Sequence, residues 1–177
     1  MIEGMIEYSD KKKELYEEVV LQLKGLFEDC SHVIANLSNA SALLNQAMKE
    51  INWVGFYLMK QFGDDLGVED NSDEPGEQLI LGPFQGKPAC VEIKVGRGVC
   101  GTAVEKDEIQ LVKNVHEFPG HIACDSASNS EIVLPIHKNG KVWGVLDIDS
   151  PLIGRFDEQD REGLIEVVKV IENMLGE

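Results

Sequence analysis

An α+β domain built around a mainly antiparallel sheet is predicted by three observations. Amphipathic helical patterns occupy both ends of the 177-residue chain. About six short runs rich in β-branched and aromatic residues lie between them. Two of these runs are joined by Asn139-Gly140, the strongest short hairpin signal in the sequence.

The elements follow in chain order. From 10 to 29, Leu15, Val19, Leu23, Leu26 and Phe27 recur at helical spacing among Lys and Glu, which predicts an amphipathic helix. Ser38 to Glu50 predicts a second helix, with Ser38 as its N-cap and Leu43, Leu44, Ala47 and Met48 as its apolar stripe. Ile51 to Met59, with its aromatic and β-branched residues, predicts a strand. Residues 60–77 are rich in Asp, Glu and Gly without apolar period and predict a solvated loop. Strands are expected again at Gln78 to Leu81, Val91 to Val95 and Ile109 to Val112. Gly82 to Ala89 reads as a loop ending at Cys90, and a short helix is expected after Gly98. Glu131 to His137 and Val142 to Asp149 form the hairpin arms. Pro135 cannot donate to a ladder, so it belongs at an edge or a bulge. A helix from about Glu158 to Leu175 closes the chain, capped by Asp157 and buried through Leu164, Ile165, Val168, Ile171 and Leu175. No repeat is visible, and one domain over 1–177 is the simplest organisation.

Charge narrows the partners. The chain carries 16 Lys and Arg against 32 Asp and Glu, a formal net charge of -16. Such a field repels phosphate backbones and anionic lipid surfaces, which argues against nucleic acid and membrane. With 43% hydrophobic and 27% charged residues the composition is that of a folded globular protein. The N-terminal residues lack a basic region followed by an apolar stretch, and no window approaches a membrane span, so a cytoplasmic location is expected. Asn36-Leu37-Ser38 and Asn39-Ala40-Ser41 match the glycosylation pattern but read better as helix-entry chemistry in that compartment.

Thiols and carboxylates carry the chemistry. Cys90, Cys100 and Cys124 lie among glycines and small polar residues, whereas Cys30 follows the first helix and reads as a small hydrophobe. Their spacing lacks the close cysteine pairs of structural zinc sites, so redox work is favoured over a zinc site from Cys90, Cys100, His121 and Cys124. In a reducing compartment the cysteines rest as thiols, and any disulfide is transient. Asp147 and Asp149, two apart on a strand, share a face; a solvated strand end running into Ser150-Pro151 accounts for them equally well. Trp53 and Tyr57 share a face too, in a pocket wall or in the core. Glu131 depends on register. A two-residue Asn139-Gly140 loop alone pairs it with Ile148 and turns it from both aspartates. A loop or bulge one residue longer is expected to pair it with Asp147, so a shared acid site requires the extra residue.

These segments resemble a known family. Leu79-Ile80-Leu81-Gly82-Pro83-Phe84-Gln85-Gly86, Gly96-Arg97-Gly98-Val99-Cys100-Gly101-Thr102-Ala103, Pro119-Gly120-His121-Ile122-Ala123-Cys124-Asp125, Ser130-Glu131-Ile132-Val133 and Gly144-Val145-Leu146-Asp147-Ile148-Asp149 are similar, in order, to free methionine-(R)-sulfoxide reductase, a GAF-domain enzyme. The likeness runs from about Asn36 to the last helix, and its visible departure is the long acidic segment 60–77. It implies a six-stranded antiparallel sheet flanked by N- and C-terminal helices. The implied activity is reduction of free L-methionine (R)-sulfoxide, with thioredoxin as reductant, no cofactor, and a homodimer as one permitted assembly. By that resemblance Cys124 is the nucleophile and Cys90 the resolving thiol. Cys100 is similar to a third cysteine that enters disulfide exchange or itself attacks. Glu131 and Asp149 take part in catalysis, and Trp53, Tyr57, Glu131, Asp147 and Asp149 form the substrate pocket. Two other classes stay open: a GAF-type sensor of a small ligand such as a cyclic nucleotide, which needs no cysteine, and a zinc-binding structural protein.

Overall fold

Alternation along the strands sorts the apolar residues onto the two faces of one sheet. The computed structural model describes residues 7–60, 78–120 and 127–176. In chain order they form α1 (Lys12–Phe27), α2 (Val33–Ala47), β1 (Trp53–Met59), β2 (Gln78–Gly86), β3 (Glu92–Lys94), α3 (Gly98–Lys106), β4 (Gln110–Val112), a 3-10 turn (Val115–Glu117), β5 (Ser130–Lys138), β6 (Lys141–Ser150) and α4 (Glu158–Leu175). The six strands pair antiparallel, as expected, and their order is β3-β2-β1-β6-β5-β4.

One face is the main core. Val54, Phe56, Leu58, Ile132, Leu134, Ile136, Leu146 and Ile148 point to it and pack against α1, α2 and α4. The opposite face carries Trp53, Tyr57, Val133 and Val145, which pack against Val99, Cys100 and Ala103 of α3. α4 starts at the expected cap: Asp157 accepts from the backbone N–H groups of Gln159 and Asp160, and Asp160 takes the Asp157 N–H in return. The fully buried Asp160 carboxylate also takes the Tyr16 hydroxyl at 2.8 Å and the half-buried Lys12 ammonium at 2.6 Å, tying α1 to α4.

Several local expectations are corrected. α2 begins at Val33, and Ser38 lies inside it with its hydroxyl donated to the Ile34 carbonyl, so it is no N-cap. Asn36, Ser38, Asn39 and Ser41 are therefore interior helix residues rather than entry residues. Leu26 is exposed, and Tyr16 occupies the buried stripe of α1 instead. Gly82 to Gly86 is strand, not loop: Trp53, Val54 and Gly55 pair with Gly86, Gln85 and Phe84. Pro83 is tolerated because the ladder shifts there, Gly82 and Pro83 together facing Phe56. Pro135 lies beyond the reach of β4, which pairs only with Glu131 to Val133. The acidic residues 61–77 lie outside the described residues.

The hairpin decides the site. Asn139 and Gly140 have positive φ, 53° and 71°, and Lys138 pairs with Lys141 across them. A bulge at Trp143 then shifts the register, so Ile136 faces Gly144 and Glu131 faces Asp149. The extra residue that a shared acid site requires is present, but it sits on β6 and brings Glu131 opposite Asp149 rather than the expected Asp147. Asp147 faces Val133.

Candidate active site

Three neighbouring strands contribute one row each to the same face. β1 supplies Trp53, Gly55 and Tyr57; β6 supplies Asp149, Asp147 and Val145 directly opposite them; β5 supplies Glu131 and Val133 opposite Asp149 and Asp147. Carboxylates from two strands thus share the surface with two aromatic rings. Trp53 stacks between Tyr57 and Phe84, with ring centroids 5.9 Å and 5.3 Å away.

The segment Lys87 to Val91 closes one side through two backbone carbonyls. The Trp53 indole N–H donates to Lys87 O at 3.1 Å, and the Tyr57 hydroxyl donates to Cys90 O at 2.9 Å. Both rings are held at their polar tips, and both residues line the pocket. From the other side α3 inserts Cys100 in its first turn, and the Cys100 thiol donates to Asp147 Oδ2 at 3.3 Å. Ser128 takes a hydrogen bond from the Asn52 amide and lines the pocket, as do Arg97 and Asp149.

Burial and crowding set the protonation. Cys100, Glu131 and Asp147 are 4%, 6% and 6% exposed, too little for water to solvate their charged forms. Burial, then the neighbouring Asp147 and Asp149 charges, push Glu131 well above the usual carboxyl range. Burial likewise pushes Asp147 up, to about 6, although the hydrogen bonds it takes from Cys100 and Glu131 stabilise its anion. Glu131 is therefore the carboxyl that keeps a proton at neutral pH, shared toward Asp147. A helix N-terminus ordinarily favours a thiolate. For Cys100 burial and the charges of Asp147, Glu131 and Asp149 win, holding the thiol well above its ordinary range. It is a resting thiol, not a preformed nucleophile.

Of the residues the sequence singles out, Trp53, Tyr57, Cys100, Glu131, Asp147 and Asp149 all line one pocket. Cys90 is half-buried and meets the site through its carbonyl, while its side chain packs with the second core. Cys30, Cys90 and Cys100 are all free thiols. Cys124 and His121 lie outside the described residues. Sequence reasoning missed Arg97, Ser128 and the stacking partner Phe84. Arg97 alone had a local signal, its place in Gly96-Arg97-Gly98 ahead of α3.

A six-stranded antiparallel sheet with helices on both sides and a pocket on the α3 face defines the class, and the GAF domain model matches residues 20–175. The chain belongs to the GAF-domain family. Within it, the chain is similar to the free methionine-R-sulfoxide reductase of Escherichia coli, 47% identical over 165 residues spanning 93% of this chain and 91% of that protein. It is 53% identical to the reduced form of fRMsr from Staphylococcus aureus, covering 91% of this chain and 95% of that one with a TM-score of 0.79. The free methionine-R-sulfoxide reductase of Neisseria meningitidis, solved with its substrate, is 41% identical over 96% of this chain and 92% of its own, with a TM-score of 0.81. Among the described residues no helix is long and apolar enough to cross a membrane.

Proposed function

We propose that this chain reduces free L-methionine (R)-sulfoxide to L-methionine by thiol chemistry, as a single cytoplasmic domain recycled by thioredoxin. The observation that carries the reading is the meeting of a buried thiol and three carboxyl groups beneath an aromatic wall. Support also comes from the relatives named for this activity, one of them solved with its substrate.

The chemistry needs that set. A thiolate attacking sulfoxide sulfur forms an S–S bond, and the sulfoxide oxygen leaves sulfur only if it is protonated. Glu131 is the group that holds such a proton. In this reading Asp149, a half-buried pocket residue, pairs with the substrate ammonium, and Trp53 and Tyr57, which line the same pocket, enclose the methyl-sulfinyl end. By the resemblance, Cys124 attacks. The net first step converts the sulfoxide to methionine and the attacking thiol to a sulfenic acid. A second thiol, Cys90 or Cys100, condenses with the sulfenic acid to a disulfide and water, and thioredoxin returns both sulfurs to thiols at the cost of its own dithiol. The steps are complete with thiols, carboxyls and the external reductant.

The test is oxidation of NADPH by a thioredoxin system in the presence of this chain and each methionine sulfoxide stereoisomer. Turnover is expected with the free (R) form alone and is expected to vanish in Cys124→Ser while persisting in Cys30→Ser. Equal losses in the two variants, or turnover of the (S) form, contradict the reading.

A further inference from the structure

We propose that Cys100, Glu131 and Asp147 form a binding site for one thiophilic divalent cation, with zinc as the physiological ion. One ligand atom from each residue, the Cys100 sulfur and a carboxylate oxygen from each acid, lies within 4.8 Å of the others, and all three residues are buried. They reach the common point from two sides, Glu131 and Asp147 from the sheet face and Cys100 from α3.

Asp147 supplies the independent sign. Its Oδ2 takes the Cys100 thiol proton, while Oδ1, equally without contact to water, takes no hydrogen bond at all. A buried acceptor left empty is costly, and a cation bound between the three groups fills it. The Asp147 side chain also lines the pocket.

The donor set selects the ion. Zinc takes sulfur at about 2.3 Å and carboxylate oxygen at about 2.0–2.2 Å, which places tetrahedral ligands roughly 3.5 Å apart. Magnesium and calcium want more oxygens and have little use for a thiolate. Metal binding sends the thiol proton to solvent. The cation then offsets the negative charge that crowds Glu131, Asp147 and Asp149. Three protein ligands leave one open position, toward the pocket. Occupancy locks Cys100 and both acids into coordination, so zinc acts as a reversible brake and not as a cofactor.

Binding is measured without turnover, so its outcome is separate from that of the reductase reading. The reduced, chelator-stripped chain is titrated with zinc chloride against a chromophoric chelator, and with cobalt chloride for sulfur-to-cobalt charge-transfer absorption. One ion per chain and a clear sulfur band are expected. Cys100→Ser and Asp147→Asn are expected to weaken zinc by more than the roughly 10- to 100-fold that loss of an outer-shell partner costs. Cys30→Ser and Cys124→Ser are expected to bind within about threefold of the parent. Zinc retained by Asp147→Asn but lost by Cys124→Ser overturns the site, because a cluster of thiols then holds the ion. Affinity no tighter than millimolar in the parent overturns it as well. Should either site variant fail to fold, the cobalt spectrum of the parent decides, and absence of the sulfur band rejects the proposal.

Discussion

Adding a single methyl group at Gly55 tests how tightly the site face is assembled. Gly55 lies between Trp53 and Tyr57 on β1, opposite Asp147 of β6 and Phe84 of β2. A Cβ there meets Trp53 Cη2 at 2.8 Å and Phe84 Cα at 2.9 Å, and Phe84 Cβ closer still. Carbon atoms settle about 3.5–4.0 Å apart, so something must move by more than half an ångström. Phe84 Cα belongs to a paired strand and cannot rotate away. Relief comes from displacing β2 or from swinging the Trp53 indole off its stack. Overpacking of this kind costs about 1–3 kcal/mol, while Ala in place of Gly in a strand regains roughly 0.5–1 kcal/mol, so a net loss of about 1–2 kcal/mol is expected. Because the displaced atoms are pocket wall, misplacement on the order of 1 Å also costs catalysis, up to about a hundredfold. Urea unfolding followed by circular dichroism reads the first effect, and kcat/KM for free methionine (R)-sulfoxide reads the second. A Gly55→Ala variant as stable as its parent with unchanged kcat/KM would refute the packing argument.

Three further outcomes follow from single contacts. Tyr16→Phe removes the buried hydroxyl that donates to Asp160, a hydrogen bond to a charged group worth about 1.5–3 kcal/mol, and a change below roughly 0.5 kcal/mol in urea unfolding contradicts this. His137 places its two ring nitrogens 2.9 Å from Glu172 and 2.7 Å from Asp107. Burial opposes its charge, but the two carboxylates win and raise its pKa above 6.5. A raised folded-state pKa means that this contribution is complete below the unfolded value and is lost as pH rises through the folded one. His137→Gln should therefore flatten the fall in stability from pH 6 to 8, and a parallel fall in variant and parent shows no coupling. N-acetylation of the substrate removes the cation that Asp149 is proposed to pair with. Loss of a hydrogen bond to a charged group costs about 1.5–3 kcal/mol, roughly 10- to 150-fold in kcat/KM, and equal turnover of acetylated and free sulfoxide removes the ammonium contact from the reading.

Where local chemistry dictated structure, the sequence was legible. α4 begins at Asp157 because that carboxylate caps two amides, and the Asn139-Gly140 turn forms because both residues accept positive φ. Legibility failed where tertiary pairing overrode punctuation. Gly82, Pro83 and Gly86 look like loop residues, yet β1 recruits them into a strand and confines the proline to an irregular step. Ser38 looked like a cap, but α2 extends to Val33 because Leu37 and Ala40 have core to bury. At the site, the residue types and the need for an extra residue in the hairpin were readable. Which strand carried that residue was not, because the choice is made by burying Trp143 on the far side of the sheet. Ser128 enters the pocket only through the fold.

That position of Trp143 places the site's parity in the hands of a residue that never touches it. The indole is fully buried among core residues, and the one-residue offset it holds is what keeps Glu131 in line with Asp149. In the competing hairpin without the offset, Glu131 stands opposite Ile148, and an acid must enter the core or an isoleucine the pocket. Burial of the large ring thus acts as a proofreader of the fold. Loss of function from a smaller side chain at 143 takes the form of a miscounted hairpin: a chain that still collapses, keeps every thiol and carboxyl, and has no acid pair.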